Sequence, residues 1–351
     1  MNSFWDWKLF LLILAIGLIS LLALFSLDRE LFRNQLVYWA IGLLLLFIVS
    51  RFGNVVFQKI SIPVYIISIL ALIILLVIGE PIRGSVRWLD LGLFRFQPSE
   101  FAKAASVLIL ANYYKERSAQ RIKDLLISFT LILPFILLIV IQPDIGNTLA
   151  FFAIWLGISF VSGLKVKDFL IGLAFAVSLI FFTFGLLAPY QKQRIYNFVN
   201  PNLDPLGTGY SIIQSKIAVG SGQFLGRGLG QGSQSQLKFL PDDESDFIFA
   251  SISEQLGFAG ALLLIIIYLF TFFRIIFLAR ITDHFGNLII MGILSYLLVQ
   301  FFINIGMNIG LVPVTGITLP FVSYGGSSLI TILILIGIVF AFKRVSLEAY
   351  H

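Results

Sequence analysis

Two sets of charged residues in this chain have the types and spacing of reactive groups. The first is the run Pro241-Asp242-Asp243-Glu244-Ser245-Asp246, four carboxylates in five residues, leading straight into Phe247-Ile248-Phe249-Ala250. A positioned carboxylate can take a proton from a hydroxyl nucleophile. Several together could hold a divalent cation through oxygen ligands. The second set is Glu100 and Lys103, three apart and therefore on one helix face, where Pro98 suits a helix start. Charges at membrane depth face one another or a cavity. The pair reads either as an internal ion pair or as a lysine, oriented by Glu100, that faces an anionic group. Arg83, Arg87 and Arg95 precede it. They could bind a pyrophosphate through charge-assisted hydrogen bonds, or anchor the chain to lipid headgroups.

Other polar positions are weaker signals. Asp144, in Gln142-Pro143-Asp144-Ile145-Gly146-Asn147-Thr148, could cap the following helix or shape a cavity. Glu254 lies eight residues after Asp246, two helical turns along roughly the same face. It could line the same cavity or bond to a neighbouring helix. The uncharged segment 313–328 holds two prolines and three glycines. Irregular backbone at membrane depth needs protein or a wet cavity over it, so the segment reads as a re-entrant loop or a surface turn. The glycine run 226–232 lacks the lysine of a nucleotide-binding loop and any parallel-sheet context.

The elements that must position these groups are membrane helices. The 351 residues are 59% hydrophobic and 12% charged, against about 25% charged in soluble domains. With no cysteine and two histidines, disulfides, thiolate metal sites and a Ser-His-Asp triad are excluded. Windows able to cross a bilayer, about 20 apolar residues each, fall at 9–27, 35–50, 60–79, 97–114, 125–143, 146–164, 169–189, 256–273, 286–310 and 324–342. The chain thus reads as an all-α polytopic membrane protein of about ten transmembrane helices, one integral domain over 1–351. No transporter-type internal repeat is evident.

Lysines and arginines set the orientation. With the N-terminus inside, thirteen fall in cytoplasmic segments and five (Arg29, Arg33, Arg83, Arg87, Arg95) in short outer loops. The expected topology is N-in/C-in, and the net charge of +6 then belongs mostly to cytoplasmic loops rather than to a nucleic-acid surface. Residues 190–245 become one large extracytoplasmic loop between helices seven and eight. Within it, 209–219 reads as a short amphipathic helix in the interface.

Taken together the motifs resemble one family. FQPSEFAK (96–103), QPDIGNT (142–148), GYSIIQSKIAVGSGQFLGRGLG (209–230), LPDDESDFIFA (240–250), EQLGFAG (254–260) and PVTGITLPFVSYGGSS (313–328) are similar, in order, to those of the SEDS proteins of shape, elongation, division and sporulation. These are the RodA/FtsW/SpoVE family, and the wording around 200–222 and 232–241 is more RodA-like. The resemblance implies ten membrane helices and a peptidoglycan glycosyltransferase of the bacterial inner membrane. It would polymerise lipid II at the outer face during elongation and rod-shape maintenance. A class B penicillin-binding protein transpeptidase and the elongation machinery are the implied partners. The key acid falls on Asp246, and Glu100, Lys103, Asp144 and Arg87 match family positions. Three positions depart from the pattern. Asp242 stands for the usual glutamate, Glu244 for the usual histidine, and Gln255 for the second glutamate of a Glu-Glu-Leu-Gly motif.

On this reading Asp246 is the general base for the acceptor sugar hydroxyl, and its acidic neighbours raise its proton affinity. Lys103 and Arg87, with Glu100, Asp144 and Glu254 beside them, contact the substrate, and the two cations stabilise the departing pyrophosphate. A divalent cation, Mg or Mn, held by Asp246 and Asp243, is the alternative device. Direct displacement predicts inversion, from an α-linked donor to a β-linked polymer. A flippase for the same lipid-linked precursor and a non-catalytic scaffold for a transpeptidase are the rival functions.

Overall fold

The computed structural model describes residues 5–79, 87–90, 95–172, 174, 198 and 209–348. Arg83, most of the expected seventh span and most of 190–208 lie outside the described residues.

Three long apolar helices open the chain: α1 (Trp7–Leu27), α2 (Arg29–Val49) and α3 (Asn54–Ile78). The α1–α2 turn is one residue. Asp28 Oδ1 accepts from Glu30 N at 2.6 Å, capping α2. This cap lets α2 begin six residues before its hydropathy window, with Glu30 and Arg33 in its polar first turns. A two-residue antiparallel ladder follows, β1 (Leu89–Asp90) on β2 (Arg95–Phe96). It is the one departure from an all-helical fold among the described residues, and it was not expected from sequence. It delivers Arg87 and Trp88 to the entry of α4 (Pro98–Tyr114). After α4 come α5 (Ile122–Ile141) and α6 (Ile145–Val161), and residues 166–172 are again helical. The later elements are α7 (Tyr210–Ser221), α8 (Ser233–Gln236), α9 (Ile248–Arg280), α10 (His284–Asn308) and α11 (Gly326–Glu348).

Among the described residues, seven helices are long and apolar enough to cross a membrane. The 17-residue α4 and α6 fall short of that measure. α4, α10 and α11 are buried nearly all round and form the centre. α1, α2 and α3 keep an outward stripe of exposed apolar side chains such as Leu18, Leu44, Ile67 and Val77. In water so much exposed apolar surface would drive aggregation; against lipid it carries no such cost.

Small residues bring helices close. A Cβ at Gly157 of α6 would fall 1.8 Å from Ser295 Oγ of α10. Such small-on-small contact is how membrane helices gain packing energy where lipid offers no hydrophobic drive. The α6–α10 contact sets the start of α6 beside the polar face of α10.

α9 is two helices. Gly257 has φ 69° and ψ −170°, and the break separates a buried segment, 248–256, from the spanning segment that follows. Backbone groups freed by the break pair with the glycine-rich loop. Arg227 N and Gly228 N donate to Glu254 O and Gln255 O at 3.0 Å each, and Phe258 N and Ala259 N donate to Gln223 O and Phe224 O at 2.8 and 3.0 Å. A Cβ at Gly226 or Gly257 would lie 2.2 Å from the opposing backbone. The glycine run therefore answers a close backbone approach, not a phosphate.

Candidate active site

The acidic turn is held by its backbone. Asp242 O accepts from Ser245 N and Phe247 N, and Tyr324 N donates to Glu244 O at 2.8 Å. Ser251 Oγ donates to Asp243 O at 3.2 Å, and Ser323 Oγ to Ser245 O at 2.6 Å. Asp246 O accepts from both Asn304 Nδ2 and Asn308 Nδ2 at 3.0 Å. Every carbonyl from 242 to 246 thus has a partner. Four carboxylates close in sequence would push such a turn apart, so the surrounding helices must fix it. Asn304 Nδ2 also reaches Ile317 O at 2.7 Å, so one buried amide joins the acidic turn to the 313–328 loop.

That loop lies between α10 and α11 with irregular backbone, and Thr315, Ile317, Leu319, Phe321 and Val322 are buried. Protein covers it, as the re-entrant reading requires. Gly316, at φ 75°, lies between two charged groups. A Cβ built there would be 3.5 Å from Asp246 Oδ2 and 4.0 Å from Arg87 Nη1. The candidate base and the arginine therefore look onto one point, kept open by the absence of a side chain.

Arg87 spreads its fork across the α5–α6 turn. Nη2 donates to Pro143 O at 2.6 Å, and Nε lies 3.5 Å from Asp144 Oδ2. Asp144 caps α6, accepting from Asn147 N at 3.1 Å and from Asn147 Nδ2 at 2.9 Å. Asn147 Oδ1 accepts from Lys103 Nζ at 3.0 Å, and Lys103 Nζ also donates to Glu100 Oε1 at 2.6 Å. Glu100 Oε2 accepts from Tyr296 OH at 3.2 Å, and the Lys103 ammonium sits 4.6 Å from the Tyr296 ring centroid. The polar chain runs from Arg87 through Asp144, Asn147, Lys103 and Glu100 to Tyr296.

The structure places three of the expected substrate contacts, Lys103, Glu100 and Glu254, inside the protein. Lys103 is 0% exposed and Glu100 4%, and they are paired with each other. Glu254 is fully buried as well. Its carboxylate accepts from Gln234 N at 2.8 Å, Ser235 N at 3.0 Å and Ser235 Oγ at 2.8 Å, which caps α8. All three are enclosed by protein partners, whereas the Arg87 side chain is 22% exposed.

The acidic neighbours of Asp246 are not alike. Asp243 is 1% exposed, and burial pushes its carboxyl up to about 7, reinforced by a hydrogen bond with Glu244 and opposed by Lys238. Lys238 Nζ lies 3.2 Å from Asp243 Oδ1. A carboxyl that burial biases toward its protonated form, beside Lys238, accounts for this corner. The same bias makes Asp243 a poor ligand for a hard dication, which would have to displace an ammonium. Among the described residues no group of three or more His, Cys, Asp or Glu is placed to hold a metal. The donors present at Asp243 do not fit the expected cation.

Sequence reasoning missed Asn304, Asn308, Tyr296 and Gly316. The signal for the asparagines was available, as two buried amides four apart in an apolar helix share a face. Tyr296 and Gly316 carried no such signal.

The fold and site define a class: a polytopic membrane protein with an acid and an arginine converging on an open point at the start of a broken helix. The chain belongs to the FtsW/RodA/SpoVE family, described as cell cycle proteins, whose model matches residues 4–347. It is 38% identical to the peptidoglycan glycosyltransferase MrdB of Escherichia coli (strain K12), over 96% of this chain and 94% of that one. A chain from a structure described as "Structural coordination of polymerization and crosslinking by a peptidoglycan synthase complex" superposes with TM-score 0.87 at 32% identity, covering 97% and 98% of the two chains. The Thermus thermophilus rod shape determining protein RodA gives 0.74 at 29% identity, covering 99% and 98%.

Proposed function

We propose that this protein is a peptidoglycan glycosyltransferase that polymerises lipid II at the outer face of the bacterial inner membrane during elongation. Family membership and the activity named for the relatives support the reading. The observation that carries it is the convergence of Asp246 Oδ2 and Arg87 Nη1 on the space over Gly316. In the proposed topology ten helices cross with both termini inside. The seven long spans, the short α4 and α6, and the stretch beginning at 166 agree with that count. Residues 190–245 are then the large outer loop of a single membrane domain.

Asp246 begins to remove the proton of the acceptor sugar hydroxyl as that oxygen attacks the anomeric carbon of the donor. The bond to the polyprenyl pyrophosphate breaks with inversion. Arg87 stabilises the negative charge that develops on the departing group. Asn304 and Asn308 hold Asp246, and the network through Asp144, Asn147, Lys103 and Glu100 holds Arg87. A class B penicillin-binding protein transpeptidase is the proposed partner, within the elongation machinery.

The test is lipid II in detergent, given to the purified chain alone and with its transpeptidase. Wild type makes glycan polymer. Asp246→Asn loses about 10²–10⁴-fold in rate while eluting and melting as wild type. Unchanged polymer from Asp246→Asn removes the base assignment. Lipid II carried across vesicles without polymerisation favours a flippase, and no activity with an intact complex favours a scaffold.

A further inference from the structure

A groove of about 540 Å³ opens between α1 and α9, with Leu11, Leu12, Phe270 and Phe273 in its walls and Lys8 and Arg274 beside them. Arg274 lies 28 residues after Asp246, toward the far end of the spanning segment of α9 beyond the Gly257 break, about 24 Å of helix past that break, so the groove is no part of the site above. Its volume is within the range of small-molecule sites, about 300–1,000 Å³.

Three features define its character. The first is charge. Asp6 Oδ2 lies 2.6 Å from Arg274 Nη2 and 3.4 Å from Lys343 Nζ. Burial alone would raise the Asp6 carboxyl, but the hydrogen bonds from Arg274 and Leu9 N and the charge of Lys343 outweigh it and hold Asp6 below its usual range. Asp6 therefore stays ionised and neutralises one of two cations. Lys8 is exposed and makes no ion pair among the described residues. The corner keeps an excess of positive charge.

The second is depth. Trp5 and Trp7 flank Asp6, and Trp7 is exposed. Tryptophans mark the headgroup level of a bilayer. α1 and α9 are antiparallel, since Ser26 meets Gln255 at one end and Asp6 meets Arg274 at the other. The cations therefore stand at headgroup level, and Leu12 and Phe270 lead toward the bilayer centre. The third is wall chemistry, aliphatic on α1 and aromatic on α9, over about 10 Å of helix from Phe270 to Phe277.

We propose that this groove binds one membrane phospholipid with an anionic headgroup. The phosphate lies against Lys8 and the Nη1 edge of Arg274, whose Nε and Nη2 are given to Asp6. One acyl chain lies along Leu12, Phe270 and Phe273. Charge decides against a membrane helix as occupant: a span entering from this side brings basic flanking residues, which Lys8 and Arg274 repel.

The test is native mass spectrometry of the full chain, stripped of lipid in detergent and titrated with phosphatidylglycerol or zwitterionic phosphatidylethanolamine. A single phosphatidylglycerol adduct is expected, surviving activation that removes phosphatidylethanolamine. Lys8→Gln weakens it about fivefold, and Leu12→Trp, which fills the groove, abolishes it. Both variants should keep wild-type polymerisation in detergent, which shows that they fold. Equal retention of the two lipids, or an adduct indifferent to Lys8→Gln, overturns the proposal. So does a purified transpeptidase complex in which a photocrosslinker at Leu12 captures the partner's span and the lipid is gone.

Discussion

Lys103 with Glu100, and Arg87 with Asp246, are both cation–carboxylate sets in the same network, yet they do different work. The first pair is dry. Lys103 is 0% exposed and donates to Glu100 and Asn147 beneath the Tyr296 ring. The second pair does not close on itself: its members meet across the space over Gly316, and Arg87 is anchored from behind by Pro143 O and Asp144. Burial closes one pair on itself, and separation leaves the other facing a shared space, the candidate site. A charged residue in a membrane helix therefore does not by itself mark a substrate contact. What matters is whether the residue is enclosed by its partners, as Lys103 is, or partly exposed, as Arg87 is.

The contrast can be broken at either pair. Arg87→Ala should remove a charge that matters only as the leaving group departs. Polymerisation should fall about 10²–10³-fold with little change in thermal unfolding; a large loss of stability would make Arg87 structural instead. Lys103→Met should do the opposite, leaving Glu100 buried and unpaired at about 3–5 kcal/mol. Adding Glu100→Gln should return most of that stability, read as the midpoint of thermal unfolding in detergent. If the double variant is stable but inactive, the pair also acts on Arg87 through Asn147.

Smaller effects sharpen the picture. Asn304→Leu removes the amide between Asp246 O and Ile317 O and should slow polymerisation about tenfold. The loss should fall on kcat rather than KM, because it shifts the base and not the binding surface. The weakest effect is expected at Asp243. Its folded carboxyl titrates near 7, above the unfolded value of about 3.9. The stability it contributes is therefore fully present below about pH 4 and is lost as pH rises through 7. Asp243→Asn, which imitates the protonated acid, should flatten the pH dependence of thermal unfolding between those limits. An unchanged slope would show that Asp243 is ionised throughout.

Much of this was legible in the chain because lipid is a simple solvent. A run of about 20 apolar residues has few alternatives to a spanning helix, so each long helix among the described residues overlaps an expected window. The errors came where capping outranks hydropathy, as at Arg29–Asn34 behind the Asp28 cap. Motif order was enough to single out Asp246 from its acidic neighbours. Spacing left Glu254 open between a shared cavity and a neighbouring helix; its carboxylate caps α8, whose amide N–H groups need an acceptor.

Sequence alone therefore determined that this is a helical membrane protein, which family its motifs resemble, and which acid to suspect. Those properties rest on local composition and spacing. Only the tertiary structure decided that Lys103 and Glu254 are internal, that Arg87 is not, and that Asn304 and Gly316 shape the space before Asp246. Each depends on partners far away in the chain, such as Arg87 with Asp144 and Asp246 with Asn304. Whether a polar group is spent or available is set by what packs against it, and no local pattern encodes that.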